Sequence, residues 1–123
     1  MSMRYSKDHE WVRMEGGFAI IGITQYAAEQ LGDVVYVELP GVGAKFAAGA
    51  DMAVVESAKA ASDVYAPISG DIVAANEALS TQPDLVNQSA EGEGWFVKLK
   101  PTDIKQLEQL MDAPAYADYV RGL

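Results

Sequence analysis

Few side chains in this sequence have both the type and the setting for chemistry, and Lys59 is the most isolated of them. It lies in E-S-A-K-A-A-S-D, Glu56 to Asp63, and is the only Lys or Arg between Lys45 and Lys98. Over residues 46–97 it is outnumbered by eight acids: Asp51, Glu56, Asp63, Asp71, Glu77, Asp84, Glu91 and Glu93. A lysine that forms a Schiff base is activated by burial or by a neighbouring cation. Lys59 has only Ala58 and Ala60 beside it and no cation nearby, which suits an exposed amine that another protein grips and modifies. A lysine in a turn also protects sheet edges from aggregation, and the spacing alone leaves that reading open. Any histidine-base mechanism would depend on His9, the one histidine, whose place beside Trp11 suits packing or a backbone hydrogen bond. One His and no Cys argue against a structural or catalytic zinc site. No D-x-[DN]-x-[DN]-G calcium loop occurs, and Gly92 and Gly94 lack the third glycine of a dinucleotide fingerprint.

The elements that must hold Lys59 follow from the flanking pattern. Met52-Ala53-Val54-Val55 precedes it and Val64-Tyr65-Ala66-Pro67 follows it. Two apolar runs joined by small and polar residues predict a β-hairpin over about 52–67 with Lys59 at its tip. Upstream, Trp11 and Val12 suggest a strand, Glu15-Gly16-Gly17 a turn, and Phe18–Ile23 a second strand. Thr24 is placed to cap a helix, Gln25–Leu31, that stops at Gly32. In Val34–Leu39 the alternation puts Val35, Val37 and Leu39 on one face, Tyr36 and Glu38 on the other. Asp71–Ala75 reads as a strand, and the polar segment 76–87 as loop or a brief helical turn. Trp95–Lys100 alternates Trp95, Val97 and Leu99 against Phe96, Lys98 and Lys100. From Thr102 the period becomes helical, with Ile104, Leu107, Leu110 and Met111, and Asp112 with Pro114 opens a last helix. Short strands with Gly/Pro turns, closed by helices over about 102–121, predict a mainly β sandwich or barrel in one domain, 1–123. The segments P-G-V-G-A-K-F at 40–46 and P-I-S-G-D-I-V at 67–73 echo each other as half-units.

Composition narrows the classes of partner. Hydrophobic residues make up 50% of the 123, which is the composition of a globular chain, and the net charge is -9. Neutralising phosphates requires the opposite sign, so nucleic acid and anionic membrane surfaces are disfavoured. No apolar stretch approaches the ~20 residues of a membrane span. The start, M-S-M-R-Y-S-K-D, has no signal-peptide core, and the expected location is a prokaryotic cytoplasm.

Several motifs resemble one known family. They are H-E-W-V-R from His9, G-I-T-Q-Y-A from Gly22, Q-L-G-D-V-V-Y-V-E-L-P-G-V-G from Gln30 and V-V-E-S-A-K-A-A-S-D-V-Y-A-P-I-S-G from Val54, with N-E-A-L from Asn76 and G-E-G-W from Gly92. Together they resemble the glycine cleavage system H protein family across essentially the whole chain. The resemblance implies a barrel-sandwich hybrid like that of lipoyl and biotinyl carriers, with lipoate in amide linkage to Lys59. In that family the lipoyl disulfide accepts an aminomethyl group from glycine decarboxylase as CO2 leaves. The aminomethyltransferase then passes the carbon to tetrahydrofolate and frees ammonia, and dihydrolipoyl dehydrogenase reoxidises the dithiol. The expected role is thus a carrier, not a catalyst, because the cofactor supplies the chemistry. Expected partners are those three enzymes and a lipoate-attaching enzyme, met in turn by a monomer.

The resemblance also implies roles for acids. Glu10, in the H-E-W motif, and Asp63, four residues after the lysine, are candidates to hold the cationic end of a loaded arm, with Asp8 a third. Glu56 is expected to be read by the lipoate-attaching enzyme. The flanks A-K-A differ from the methionines usual around a biotinyl lysine. Three positions depart from the family pattern: Ala58 where Val is common, Gln25 where an acid is frequent, and Ala90-Glu91 where Pro-Tyr often precedes G-E-G-W. The last predicts a loop of different shape. An octanoyl or lipoyl relay protein, donating lipoate to other enzymes, would share the Lys59 motif. A plain structural domain would leave Lys59 unmodified, and a small enzyme built on His9 would act without partners.

Overall fold

The computed structural model describes residues 3–123. The N-terminal alternation folds as β1 (Met3–Tyr5), β2 (Glu10–Glu15) and β3 (Phe18–Ile23), with Gly16 and Gly17 turning the chain at φ 58° and 85°. Helix α1 (Gln25–Leu31) leads to β4 (Val34–Glu38) and the two-residue β5 (Lys45–Phe46). Then come β6 (Asp51–Ser57), β7 (Ala61–Tyr65) and β8 (Gly70–Ala75). Two brief helices, α2 (Ala78–Thr81) and α3 (Leu85–Gln88), precede β9 (Val97–Pro101), and α4 (Ala113–Arg121) ends the fold. The strands form a six-stranded sheet, β1-β2-β3-β9-β8-β5, and a three-stranded sheet, β4-β6-β7. Among the described residues no helix is long and apolar enough to cross a membrane.

The two sheets bury their apolar faces against each other. Val12, Ile21, Ile72 and Leu99 meet Val37, Val55 and Val64, and Leu79, Val86 and Phe96 close the end of this core. On the far side of β1–β3, Tyr5, Trp11 and Ile20 form a second cluster under Tyr116 of α4. Strand β3 is therefore covered on both faces, which is why its sequence is continuously apolar rather than alternating. Trp11 lies over its cross-strand partner Gly22, where a Cβ would come within 2.9 Å of the indole. Glycine in a strand here marks a close approach.

Three elements differ from the sequence pattern. In β4 a bulge breaks the register: Val34 pairs with Ser57 and Tyr36 with Glu56, leaving Val35 unpaired. The extra residue turns Val35 outward, 56% exposed, and puts Val34 and Val37 inside instead. At 95–100 the strand begins only at Val97, so Phe96 is freed from the alternation and buries completely in the main core. Segment Ile104–Gln109 is a 3-10 helix, not an α-helix. Only Leu107 and Leu110 pack against the main core, and their spacing of three suits that tighter turn. Ile104 is left 55% exposed, and Met111 pairs its backbone with Tyr5. The echoing half-units meet in space, since β5 pairs with β8 through Lys45–Asp71 and Phe46–Gly70.

Candidate functional site

Lys59 stands at the tip of the β6–β7 hairpin, exposed, between exposed Ala58 and Ala60. A buried serine shapes this tip. The Ser57 hydroxyl accepts from the backbone N–H of Lys59 (3.3 Å) and Ala60 (3.0 Å) and donates to the Ala60 carbonyl (3.2 Å). The Ser57 backbone N–H also donates to Ala60 O at 2.7 Å. The tip is tied sideways to the chain after α1, where Ala58 N–H donates to Asp33 O at 3.2 Å. Asn87 of α3 braces that segment, donating to Gly32 O and accepting from Val34 N, each at 2.8 Å. Gly32, at φ 81°, ends α1 directly beneath the lysine: a Cβ there would sit 3.5 Å from Lys59 Cε. Among the described residues Lys59 has no ion-pair partner.

Beside the hairpin, a cleft of about 320 Å³ opens between the turn before β2, helix α1 and the β6–β7 hairpin. Asp8, His9 and Glu10 form one wall, Ile23, Tyr26, Ala27, Gln30 and Leu31 the second, and Val55, Ser62, Asp63 and Val64 the third. Leu31 adjoins Gly32, so the helical wall runs from the cleft to the base of Lys59. Strand alternation explains Glu10: it shares the inward face of β2 with Val12, which leaves it 2% exposed. One carboxylate oxygen accepts from the Ser6 hydroxyl at 2.6 Å, the other from the Tyr65 N–H of the lysine hairpin at 3.2 Å. Burial pushes its pKa up to about 7; those two hydrogen bonds oppose the rise, and the charge on Asp8 adds to it. Asp63 lies exposed at the cleft rim, with Val54 as its cross-strand partner.

His9 holds the turn that delivers Glu10. Its φ of 68° is a left-handed conformation rare for a side chain with a Cβ. Backbone bonds fix it there: His9 N–H donates to Ser6 O at 3.1 Å, and Thr24 N–H donates to His9 O at 2.9 Å. Its Nδ1 shares a 2.8 Å hydrogen bond with the Tyr116 hydroxyl, which also bonds the Thr24 hydroxyl at 2.8 Å. Thr24 in turn caps α1 by accepting from Ala27 N–H at 3.2 Å. Burial pulls the His9 pKa down, partly offset by Asp8. The ring sits 4.8 Å from that of Tyr26. Helix α4 therefore clamps two walls of the cleft through one tyrosine hydroxyl.

Of the residues singled out in the sequence, the fold brings Asp8, Glu10 and Asp63 to this one cleft. Glu56 stands apart, half-buried on β6 between Tyr36 and Ala61. The Gln25 and Glu91 departures meet each other: the Glu91 carboxylate accepts from Gln25 N–H at 2.8 Å. An acid at the start of α1 is thus supplied from the loop, where it favours the helix dipole. Sequence reasoning missed Ser57, Asn87, Tyr26, Gln30 and Tyr116. Only Ser57 carried a local signal, as a hydroxyl residue flanking a predicted turn.

Two facing sheets with a lysine at a hairpin tip of the smaller one define a barrel-sandwich fold of the lipoyl-carrier class. The family model described as glycine cleavage H-protein matches residues 3–122. A glycine cleavage system H protein of Phenylobacterium zucineum is 58% identical over 118 residues, covering 96% of this chain and 98% of that protein. One from Beijerinckia indica subsp. indica is 53% identical over 120 residues, covering 98% and 97%. A crystal structure of a glycine cleavage system H protein from Mycobacterium marinum matches with a TM-score of 0.88 at 38% identity, covering 98% and 97%. The chain belongs to the glycine cleavage H-protein family.

Proposed function

We propose that this chain carries lipoate on Lys59 and shuttles the aminomethyl group of glycine from glycine decarboxylase to the aminomethyltransferase, with dihydrolipoyl dehydrogenase restoring the arm. The supporting observation is the tip itself: an exposed lysine with alanines on either side, on a turn held by Ser57 and braced by Asp33 and Gly32. This setting fits an acyl group in amide linkage, because the amine is exposed with only alanines on either side. When bound, lipoate supplies a dithiolane that takes up and releases the one-carbon unit.

The chain's own residues position and shelter that arm. The Ser57 turn fixes where Nζ leaves the surface, and α1 offers an apolar wall leading away from it. Glu10, inside the cleft, and Asp63, at its rim, hold the cationic end of a loaded arm, with Asp8 adding negative charge beside Glu10. A buried acid poised near pH 7 gives up its proton when an ammonium arrives, because the opposite charge favours the ionised form. Ile23, Ala27 and Leu31 keep water from that end. Glu56, on the outer face of the hairpin, is where the lipoate-attaching enzyme reads the chain.

Intact mass with peptide mapping, on protein made in a lipoate-replete host, tests the attachment. The expected result is one lipoyl or octanoyl increment, on Lys59 alone. An unmodified Lys59 in folded protein exposed to an active attaching enzyme overturns the proposal. Modified protein that supports no glycine turnover with the three enzymes would instead be a relay.

A further inference from the structure

We propose that the outer face of the three-stranded sheet is the docking surface for the lipoate-attaching enzyme, which meets it with a nonpolar notch rimmed by Arg or Lys. The inference rests on the reading of Lys59 as the attachment point. Two cross-strand rows build the face: Tyr36–Glu56–Ala61, and Glu38–Val54–Asp63. The rows lie two residues apart along each strand, so they share one side of the sheet, the side away from Val37, Val55 and Val64. The β4 bulge adds Val35 to the same side, leaving Val35 56% and Tyr36 51% exposed. A bulge that turns a valine out into water forfeits core burial, and bulges of this kind re-aim side chains where they are used.

Charge defines the chemistry of the occupant. Glu56 and Glu38 border Tyr36, the first across the strand pair and the second two residues along β4, and Lys59 is the only cation in residues 46–97. Such a face attracts a basic rim and steers its approach. Distance selects which partner. Tyr36 is opposite Glu56, three residues before Lys59, or about 10 Å along the strand. Enzymes that use a loaded arm meet its far end, a lysine side chain and an acyl chain away from the tip. The attaching enzyme must bring its acyl donor to Nζ itself, so its footprint has to include the ground beside Lys59. Because Asp33 O holds Ala58 N–H, β4 and the tip move together, and gripping Val35 and Tyr36 aims the amine.

The test is steady-state acylation of Lys59 in the full-length apo-protein by a purified lipoate ligase supplied with lipoate and ATP. Tyr36→Ala and Glu38→Lys are each expected to raise KM for the apo-protein about tenfold while kcat stays within about twofold. Val42→Ser, at a more exposed valine (71%) outside both rows, is expected to leave both constants unchanged. Thermal melts check folding, and Glu38→Lys, at an exposed surface position, keeps the test open if Tyr36→Ala does not fold. Wild-type KM in both variants overturns the docking surface while leaving Lys59 as the attachment point. Variants acylated normally but slow with glycine decarboxylase would give the face to that enzyme and also overturn the proposal. A wild-type chain that is never acylated sinks the underlying reading of Lys59 instead.

Discussion

Replacing Glu10 with Gln should stabilise the protein at neutral pH. The carboxyl is 2% exposed, and its pKa is raised from 4.5 to about 7, chiefly by burial. A carboxyl whose folded pKa lies above its unfolded value favours the fold fully below the unfolded pKa and loses that advantage as pH rises through the folded one. At about 1.4 kcal/mol per unit, the shift makes ionised Glu10 cost about 3 kcal/mol above pH 7 relative to pH 4. Glutamine imitates the protonated acid: its carbonyl can accept from Tyr65 N–H, and its amide can donate to the Ser6 hydroxyl. Urea unfolding from about pH 4 to about pH 8 should give equal stabilities at the acid end. At the alkaline end Glu10→Gln should lead by about 3 kcal/mol, or roughly 10 °C in Tm for a chain this size. Curves that stay parallel across the range would refute the reasoning, because no differential proton uptake would then separate the two proteins. The variant should also hold a loaded arm more weakly, since its cleft lacks the buried charge. An acid kept inside at this cost marks a site where stability is given up for binding.

Three further outcomes follow from the packing and the hydrogen bonds. Gly22→Ala should destabilise by about 1–3 kcal/mol and shift Trp11 fluorescence, because the new methyl would press on the indole at 2.9 Å. Ser57→Ala should cost about 1–2 kcal/mol in urea unfolding and speed amide exchange at Lys59 and Ala60, which lose their shared acceptor. The His9 imidazole should titrate below 6.5 by NMR, so its stabilising share is present above that pH and lost as pH falls through the lowered value. In Tyr116→Phe its midpoint should move, since the Nδ1 partner is gone.

Local patterns carried much of the fold. Thr24 and Gly32 marked both ends of α1, and the apolar runs around Lys59 outlined the strands beneath it. The failures came where one inserted residue or a neighbouring layer overrode the period. The bulge at Val35 depends on Val34 and Tyr36 pairing with Ser57 and Glu56 on a later strand, and strict alternation cannot show it. In the 3-10 segment, spacings of three fit two helix types, and only the contacts of Leu107 and Leu110 choose between them. At the candidate site, the exposed hairpin-tip position of Lys59 was legible because apolar runs flank a short stretch of small and polar residues. Asn87 and Tyr116 were not, because they reach the cleft region from residues 53 and 107 positions distant from their partners Val34 and His9.

The place of β9 in the larger sheet has a consequence for how the chain is made. The sheet that carries Lys59 is assembled from one contiguous stretch, 34–65, and can form while later residues are still being synthesised. Its inner face has to wait. Strand β9 stands between β3 and β8, pairing Leu99 with Ala19 and with Ile72, so the opposing sheet stays in two pieces until residues 97–101 emerge. Pairings this far apart in sequence form slowly and leave apolar surface uncovered meanwhile. During translation the lysine pedestal is thus built before its cover and left open to aggregation. The strand that protects it is made only after the pedestal is complete.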